Sequence, residues 1–454
     1  MTTYSAVRTT GIYCRPGCGA KPLAENVRTF EVAAAAEAEG YRACLRCRPY
    51  RVAGTVADDA PELVCRAVQL IISGVLDAAD ETALGAQLGM SARHLRRLFN
   101  DHLGVTPDQF ARSRRAHFAR RLLDDSELTI ADIAFASGFG SLRQFNRAMR
   151  EVFRATPREL RERRRRSDRL AADGGLVLRM PYSPPYDWDA MSAFLAKNAV
   201  PGVESVVDGV YRRTIALDGE LGMLEIGPGG VDHLLLKAHL PYWEGAIHVV
   251  ERAACLVGLT TEPILATAQL AGDPVIGPLI KARPGVRVPG AWGPFEVAVQ
   301  AVVTHHPALT SVKSSTAGPS ASHVSPGLEV LRRVVEGVGV EVSGLGFGLT
   351  HAFPAAEAVA GAELDGVPEE VGRTVKTLAH EVAEGNLSLV GCAPLEELTG
   401  ALLAIEGVSE TAAQWIALRL GARDASPKAK ESNEEWRPWR ALATMHLEAA
   451  GQTG

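Results

Sequence analysis

Gly11-Ile12-Tyr13-Cys14-Arg15-Pro16-Gly17-Cys18 and, further on, Gly40-Tyr41-Arg42-Ala43-Cys44-Leu45-Arg46-Cys47 carry four of the chain's seven cysteines. Three residues separate the first pair of sulfurs and two separate the second. Two short-spaced pairs let each turn offer two thiolates to one ion, so Cys14, Cys18, Cys44 and Cys47 are expected to close a tetrahedral Zn²⁺ site. Four-thiolate sites of unspecified context are usually structural and inert. The stretch Met1 to Thr10 has neither the apolar core nor the cleavage pattern of a secretory signal. No apolar run approaches the roughly 18 residues that a membrane span needs. Both features point to the cytoplasm, where thiols stay reduced and cysteines serve as ligands, reactive groups or fillers.

The residues around the pairs are more specific than their spacing. Thr9 through Cys18, then Glu25-Asn26-Val27-Arg28, then Gly40 through Pro49 resemble the N-terminal domain of the Ada family. The resemblance implies that the first cysteine of the box, Cys14, accepts a methyl group from a methylphosphotriester in DNA, once per molecule. The chemistry is coherent in its own right. Zinc lowers a thiol's pKa into the thiolate range at neutral pH. Four thiolates on one Zn²⁺ leave a formal charge of −2, and methylating one sulfur raises that charge by one unit. Against a polyanion, this change strengthens binding. Arg15, Arg28, Arg42, Arg46 and Arg48 surround the box and either hold phosphates or are ordinary solvated surface.

The net charge of −5 hides an asymmetry: residues 1–170 hold 28 Lys/Arg against 20 Asp/Glu, and the remainder holds 20 against 33. A front at +8 and a back at −13 place nucleic acid on the front. Within that front the sequence repeats at an offset of 50. Ser91 answers Ser141, Leu95 answers Phe145, Leu103 answers Phe153, and Thr106-Pro107 answers Thr156-Pro157. Each copy reads as a short helix, a Gly-containing turn, a Ser N-cap and a second, basic helix. The second copy, Ile130 through Phe145, resembles the double helix-turn-helix domain of the AraC family. Major-groove candidates are Arg93, His94, Arg96 and Arg97 from the first copy, and Arg143, Gln144, Asn146 and Arg147 from the second. About half of them are expected to touch bases. Leu95, Leu98, Phe99, Phe145 and Met149 read as core. The run Arg161 to Arg166 either grips phosphate or is a solvated helix end, and residues 167–175 read as a linker.

Beyond Leu176 the pattern changes. Leu176–Met180 and Tyr211–Leu217 alternate as strands, Gly227–Leu236 follows with a Gly-rich turn, and the rest reads as helices. Pro181 through Trp188, Val200 through Glu204, Tyr211 through Thr214, Arg283 through Glu296, and Trp436 through Arg440 with His446-Leu447 resemble AlkA, the 3-methyladenine DNA glycosylase family. The resemblances together span nearly the whole chain and imply an α+β multidomain protein. A zinc domain would occupy 1–57, an all-α double helix-turn-helix domain 58–170, an AlkA-like α+β domain 171–290 and a helix-hairpin-helix glycosylase-like domain 291–454.

The last part departs from what that family's chemistry requires. The hairpin Ile405-Glu406-Gly407-Val408-Ser409-Glu410 carries two carboxylates where a phosphate should be met, which is like-charge repulsion. Aligned on Asp424-Ala425-Ser426-Pro427, the place of the catalytic aspartate falls on Lys430; counted from Gly407 it falls on Glu431. Trp436 then follows where the family inserts a further helix. His305-His306-Pro307 replaces a Gln-containing turn, Glu448 stands where a pocket Trp belongs, and Trp415 keeps one aromatic wall. Repair of O6-methylguanine needs a Pro-Cys-His-Arg signature, and the contexts of Cys65, Cys255 and Cys392 lack it, so these read as buried fillers.

The sequence therefore predicts a sensor of DNA methylation damage and transcriptional regulator whose glycosylase-like part is inactive. Double-stranded DNA and RNA polymerase are its expected partners, and no membrane is involved. One alternative is a working repair fusion that excises alkylated bases with Glu431 as its acid. Another is an ordinary AraC-type regulator with an inert zinc site.

Overall fold

The computed structural model describes residues 3–15, 18–20, 22–51, 61–164, 168, 170, 175–261, 263–310, 325–389, 393–428 and 433–451. Contacts divide the chain into two compact units. The first comprises Met1–Pro184, Gly229–Ala254 and Leu259–Ile264, and the second Pro185–Pro228, Cys255–Gly258 and Leu265–Gly454.

The first unit opens with strands β1 (Tyr4–Val7), β2 (Ile12–Cys14), β3 (Val27–Phe30) and β4 (Arg42–Ala43), in the order β3-β1-β2-β4. β1 runs antiparallel to β2 and β3, and β2 runs parallel to β4. Helix α1 (Ala33–Ala38) packs on them through Ala34, Ala35 and Ala36, whose small side chains permit close approach. The helix-turn-helix region follows as α2 (Glu62–Ile72), α3 (Val75–Ala78), α4 (Glu81–Gln87), α5 (Ala92–Leu103), α6 (Pro107–Asp125), α7 (Ile130–Ala136), α8 (Leu142–Phe153) and α9 (Pro157–Glu162).

The 50-residue repeat is realised helix for helix. Ser91 caps α5 by accepting from the His94 N–H at 3.3 Å, and Ser141 caps α8 by accepting from the Gln144 N–H at 3.2 Å. Thr106 and Thr156 each form a capping box, closed by Gln109 and Glu159. Each box satisfies two N–H groups that the helix itself cannot. Val32, Ala34 and Ala35 are buried in the same apolar cluster as Leu84, Leu95, Phe99 and Phe110, so the cysteine-bearing segment and the first helix-turn-helix share one core.

Strands β5 (Leu176–Pro181) and β9 (His233–His239) pair antiparallel in this unit, and residues 246–254 of helix α11 (Ala246–Leu256) also belong to it. They join the helix-turn-helix region through charge. His248 Nε2 lies 2.5 Å from Asp77 Oδ2, and Arg114 pairs with Glu251. Burial alone would lower the His248 pKa, but the Asp77 carboxylate outweighs it and raises it above the ordinary value. Burial would raise that of Asp77, yet His248 and Arg115 hold it below the usual carboxylate range. The raised histidine contributes stability that is complete below about pH 6.5 and is lost as pH rises through its folded pKa. The depressed aspartate contributes stability present above about pH 4 and lost as pH falls through its folded pKa. The loss in melting temperature caused by His248→Gln is therefore expected to be greatest between about pH 4 and 6.5 and to shrink above this window. Thermal unfolding across pH checks it, and a loss that grows toward pH 9 would contradict it.

In the second unit α10 (Trp188–Lys197) precedes the antiparallel meander β6 (Glu204–Val207), β7 (Val210–Leu217) and β8 (Glu220–Pro228). Helices follow: α12 (Ile264–Leu270), α13 (Ile276–Ala282), α14 (Pro294–Thr304), α15 (Pro307–Thr310), α16 (Pro326–Val338), α17 (Ala356–Gly361), α18 (Glu369–Ala383), α19 (Leu395–Leu403), α20 (Glu410–Arg419) and α21 (Arg440–Gly451). Arg213 of β7 is 1% exposed and lies between Glu204 at 3.3 Å and Glu296 of α14 at 2.8 Å, with its guanidinium over the Trp292 ring. Among the described residues, no helix is long and apolar enough to cross a membrane.

Candidate metal centre and nucleic-acid interface

The parallel register of β2 and β4 sets Ile12 beside Arg42 and Tyr13 beside Ala43, which brings Cys14 and Cys44 level at the strand ends. The Cys44 N–H donates to the Tyr13 carbonyl at 3.0 Å, and tight turns return Cys18 and Cys47 to the same place. One ligand atom from each of the four cysteines lies within 4.8 Å of the others. Zinc–sulfur bonds of about 2.3 Å place tetrahedral sulfurs within such a distance. The thiols also need a cation. Burial, then the neighbouring sulfurs Cys47 and Cys44, push the Cys14 thiol far up. Burial pushes Cys47 up to about 12, although the Arg15 N–H works against it. At Cys44 burial is outweighed by the N–H groups of Cys47 and Arg46, and its pKa falls. Four sulfurs this close can all be thiolates only around a divalent ion.

The arginines near the box divide. Arg46 is exposed and Arg15 half-buried. Arg28 pairs with Glu39 at 2.8 Å, both about half exposed. Arg48 is buried: it adopts φ +49° and pairs with Asp168 at 2.7 Å and Asp124 at 3.8 Å. That guanidinium ties the cysteine-bearing segment to α6, so the expectation of a phosphate contact fails for it. Asp168 lies in the stretch that reads as a linker, yet it is itself buried. Of the run Arg161 to Arg166, Arg161 donates to the Leu128 carbonyl and Arg164 pairs with Glu127 at 2.7 Å. Residues 165 and 166 lie outside the described residues.

On the two recognition helices, Arg93, Arg96, Arg97, Arg143, Gln144 and Arg147 are exposed, and His94 and Asn146 are half-buried. Leu95, Phe99, Phe145 and Met149 are buried, and Leu98 packs partly buried against the core. Arg96 pairs with Glu81 of α4, Arg97 approaches His94 Nδ1 at 2.9 Å, and Asn146 donates to the Leu142 carbonyl at 2.8 Å. Leu142, at 42% exposure, opens the second helix as an apolar group among these polar ones. Its place one residue after the Ser141 cap was the signal for it. A leucine so exposed contributes little to a core.

In the second unit the helical hairpin is intact. Gly407 adopts φ +90°, and a Cβ there would lie 2.1 Å from Thr374 Oγ1. Ser409 caps α20, and its hydroxyl donates to the His305 carbonyl at 2.9 Å. Gly407→Ala is accordingly expected to lower the unit's stability by more than about 1 kcal/mol, read as a fall in thermal midpoint. An unchanged midpoint would contradict that expectation. Glu406 and Glu410 both stand exposed on the turn. His306 is buried, 3.2 Å from Thr374 Oγ1 through Nε2. His305 stacks on Trp415 with ring centroids 6.3 Å apart and planes 6° apart, and Phe194 packs near the same Trp415 ring at 6.1 Å. Glu448 lies 3.1 Å from both Lys197 and Lys428, and it lines a cleft with Phe194, Met191 and Met445. Lys430, Glu431 and Cys392 lie outside the described residues. Cys65 and Cys255 are half-buried rather than fully buried.

Sequence profiles of known families match three parts of the chain. The metal binding domain of Ada matches residues 2–50, a helix-turn-helix domain 84–163, and the AlkA N-terminal domain 177–293. A probable bifunctional transcriptional activator/DNA repair enzyme AlkA of Mycobacterium tuberculosis (strain CDC 1551 / Oshkosh) is 35% identical over 97% of this chain and 91% of its own length. The chain belongs to the Ada–AraC–AlkA fusion family. DNA-3-methyladenine glycosylase 2 of Escherichia coli (strain K12) is 26% identical over 59% of this chain and 94% of its own. The bifunctional transcriptional activator/DNA repair enzyme Ada of the same strain is 35% identical over 34% of this chain and 43% of its own. In the Ada–AraC–AlkA family frame, Cys14, Cys18, Cys44 and Cys47 are the ligands of a Zn²⁺ ion, and the helices that follow are a DNA-binding module.

Proposed function

We propose that this protein takes a methyl group from a DNA methylphosphotriester onto Cys14, once per molecule, and converts that event into tighter operator binding and transcription. The observation that carries the reading is the four-sulfur cluster in a segment that matches the metal binding domain of Ada. Cys44 accepts N–H groups from Cys47 and Arg46, and Cys47 accepts one from Arg15. The leading influences on Cys14 are burial and the other sulfurs. Amide donors withdraw electron density from a thiolate, which sets Cys14 apart from Cys44 and Cys47. Bound zinc holds the sulfurs as thiolates at neutral pH. The Cys14 sulfur attacks the methyl carbon, the S–C bond forms as the C–O bond breaks, and the electron pair leaves on the phosphate oxygen. The phosphotriester becomes an ordinary charged diester, and the cluster loses one negative charge.

Arg15, Arg28 and Arg46 would meet the backbone near the damage. Arg93, His94, Arg96 and Arg97 on α5, and Arg143, Gln144, Asn146 and Arg147 on α8, would read the operator. For Arg96 this requires exchanging Glu81 for DNA. RNA polymerase is the partner through which a bound activator of this kind would act. Methylphosphotriester duplex with a labelled methyl tests the reading: label on Cys14 is expected, and a peptide map showing none there would refute it.

The glycosylase-like unit is proposed to have lost base excision. His305 lies parallel to and offset from the Trp415 ring, and the Glu448 carboxylate with its two lysines stands at the cleft that Phe194 lines. Incubation with alkylated DNA is expected to release no free 3-methyladenine. Release that disappears in Glu431→Ala would instead favour an active repair fusion, a reading supported by the retained Phe194–Trp415 aromatic pair.

A further inference from the structure

Tyr13 precedes the methyl acceptor and is fully buried. Its hydroxyl donates to Glu37 Oε1 of α1 at 2.6 Å and lies 3.2 Å from His117 Nε2 of α6. His117 Nε2 is itself 2.6 Å from the same Glu37 oxygen. Glu37 Oε2 is buried with no hydrogen-bond partner among the described residues. The His117 ring packs against Phe153, the last residue of α8, with centroids 5.8 Å apart. The next residue, Arg154, adopts φ +55° and donates to the Gly40 carbonyl at 3.3 Å. The end of the second recognition helix is thus held by the domain that carries the zinc.

We propose that the Tyr13–Glu37–His117 cluster is the link through which methylation of Cys14 sets the DNA affinity of α8. The inference rests on Cys14 being the acceptor. Cys14 is 6% exposed, so a methyl group on its sulfur must be accommodated by its surroundings. Cys14 ends β2, whose preceding residue is Tyr13, so a shift of this strand end would be felt at the cluster. The Glu37 carboxylate has one oxygen shared by two donors and one used by none. A small rotation passes a donor from the first oxygen to the second and frees His117 to shift against Phe153. That exchange would give the carboxylate the two arrangements that a coupling element requires. The loss of one negative charge at the cluster acts alongside this link through direct attraction to phosphate, and salt screens that part.

The test uses the full-length, zinc-loaded protein and a duplex selected from a random-sequence pool by the methylated form. His117→Phe keeps the packing on Phe153 and removes the ring nitrogens, and Glu37→Gln keeps the shape and removes the charge. Both are expected to take up the methyl label as the parent does and to bind the duplex before methylation within about threefold of the parent. The ratio of methylated to unmethylated affinity is expected to fall by about tenfold, and the lost part should be insensitive to added salt. A ratio equal to the parent's in both variants would overturn the link, as would a parent that takes label but gains no affinity. Should His117→Phe not fold, Glu37→Gln alone decides the outcome. A parent that takes no label would refute the methyl-acceptor reading itself.

Discussion

Cys14→Ala is expected to abolish methyl transfer outright and, at the same time, to raise the affinity of the unmethylated protein for DNA. The first effect follows because no other sulfur replaces it: Cys44 and Cys47 receive backbone N–H groups, and moving the reaction to Cys18 would change the approach of the phosphotriester. The second effect is the stronger test. Removing one thiolate raises the charge of the zinc cluster by one unit, as methylation does. A unit charge near a phosphate is worth about 1 kcal/mol in water and about 4 kcal/mol at the effective dielectric of a protein surface, so a gain of roughly tenfold or more is expected. Three cysteines still hold zinc, more weakly, and metal content should be measured beside affinity. If the zinc-loaded variant binds DNA no more tightly than the parent, the charge argument fails even with transfer abolished.

The second large effect is on stability. Arg213→Ala removes the guanidinium that pairs directly with Glu204 and Glu296, leaving Arg419 as the nearby cation, with no ion pair of its own to them among the described residues. Burial already raises the Glu296 pKa, and the Arg213 charge works against that rise. Burial would weaken the Arg213 guanidinium's hold on its proton, but Glu296, Tyr211 and Glu204 together outweigh it. Removing one partner of a buried ion pair costs about 3–5 kcal/mol, and the lost packing under Trp292 adds to this. Loss of the second unit's cooperative melting transition is expected, together with partial rescue by Arg213→Met/Glu296→Gln, which removes the stranded charge. A melting profile like the parent's in the single variant would show that the two carboxylates are neutral in the fold and need no guanidinium.

Local rules reached far along this chain. The cysteine spacing announced a four-thiolate cluster, because a turn of two or three residues leaves two sulfurs little freedom. The offset of 50 announced where α5 and α8 begin, because a Ser cap writes a helix start into the sequence, as a Thr-Pro pair does for the helix that follows. Contacts across long separations were not legible. Nothing beside Arg48 in the sequence distinguishes it from Arg46, yet one is buried against Asp168 and the other is exposed. His117 reads as one more basic residue on a long helix until the fold brings Tyr13 and Glu37 to it. In the second unit, the hairpin's divergence read as decay, whereas Ser409 proves to be a working helix cap. The charges at that turn do not prevent it from closing a regular helix start.

The apolar cluster that Val32, Ala34 and Ala35 share with Leu95, Phe99 and Phe110 bears on how such a chain can be cut and rejoined. A break between residues 51 and 61 falls between two recognisable modules, and gene rearrangement or a protease would meet no motif there. Either fragment would nonetheless expose apolar side chains of a common interior. The two segments are therefore expected to unfold together, and a chain cut between them is expected to lose stability on both sides of the cut.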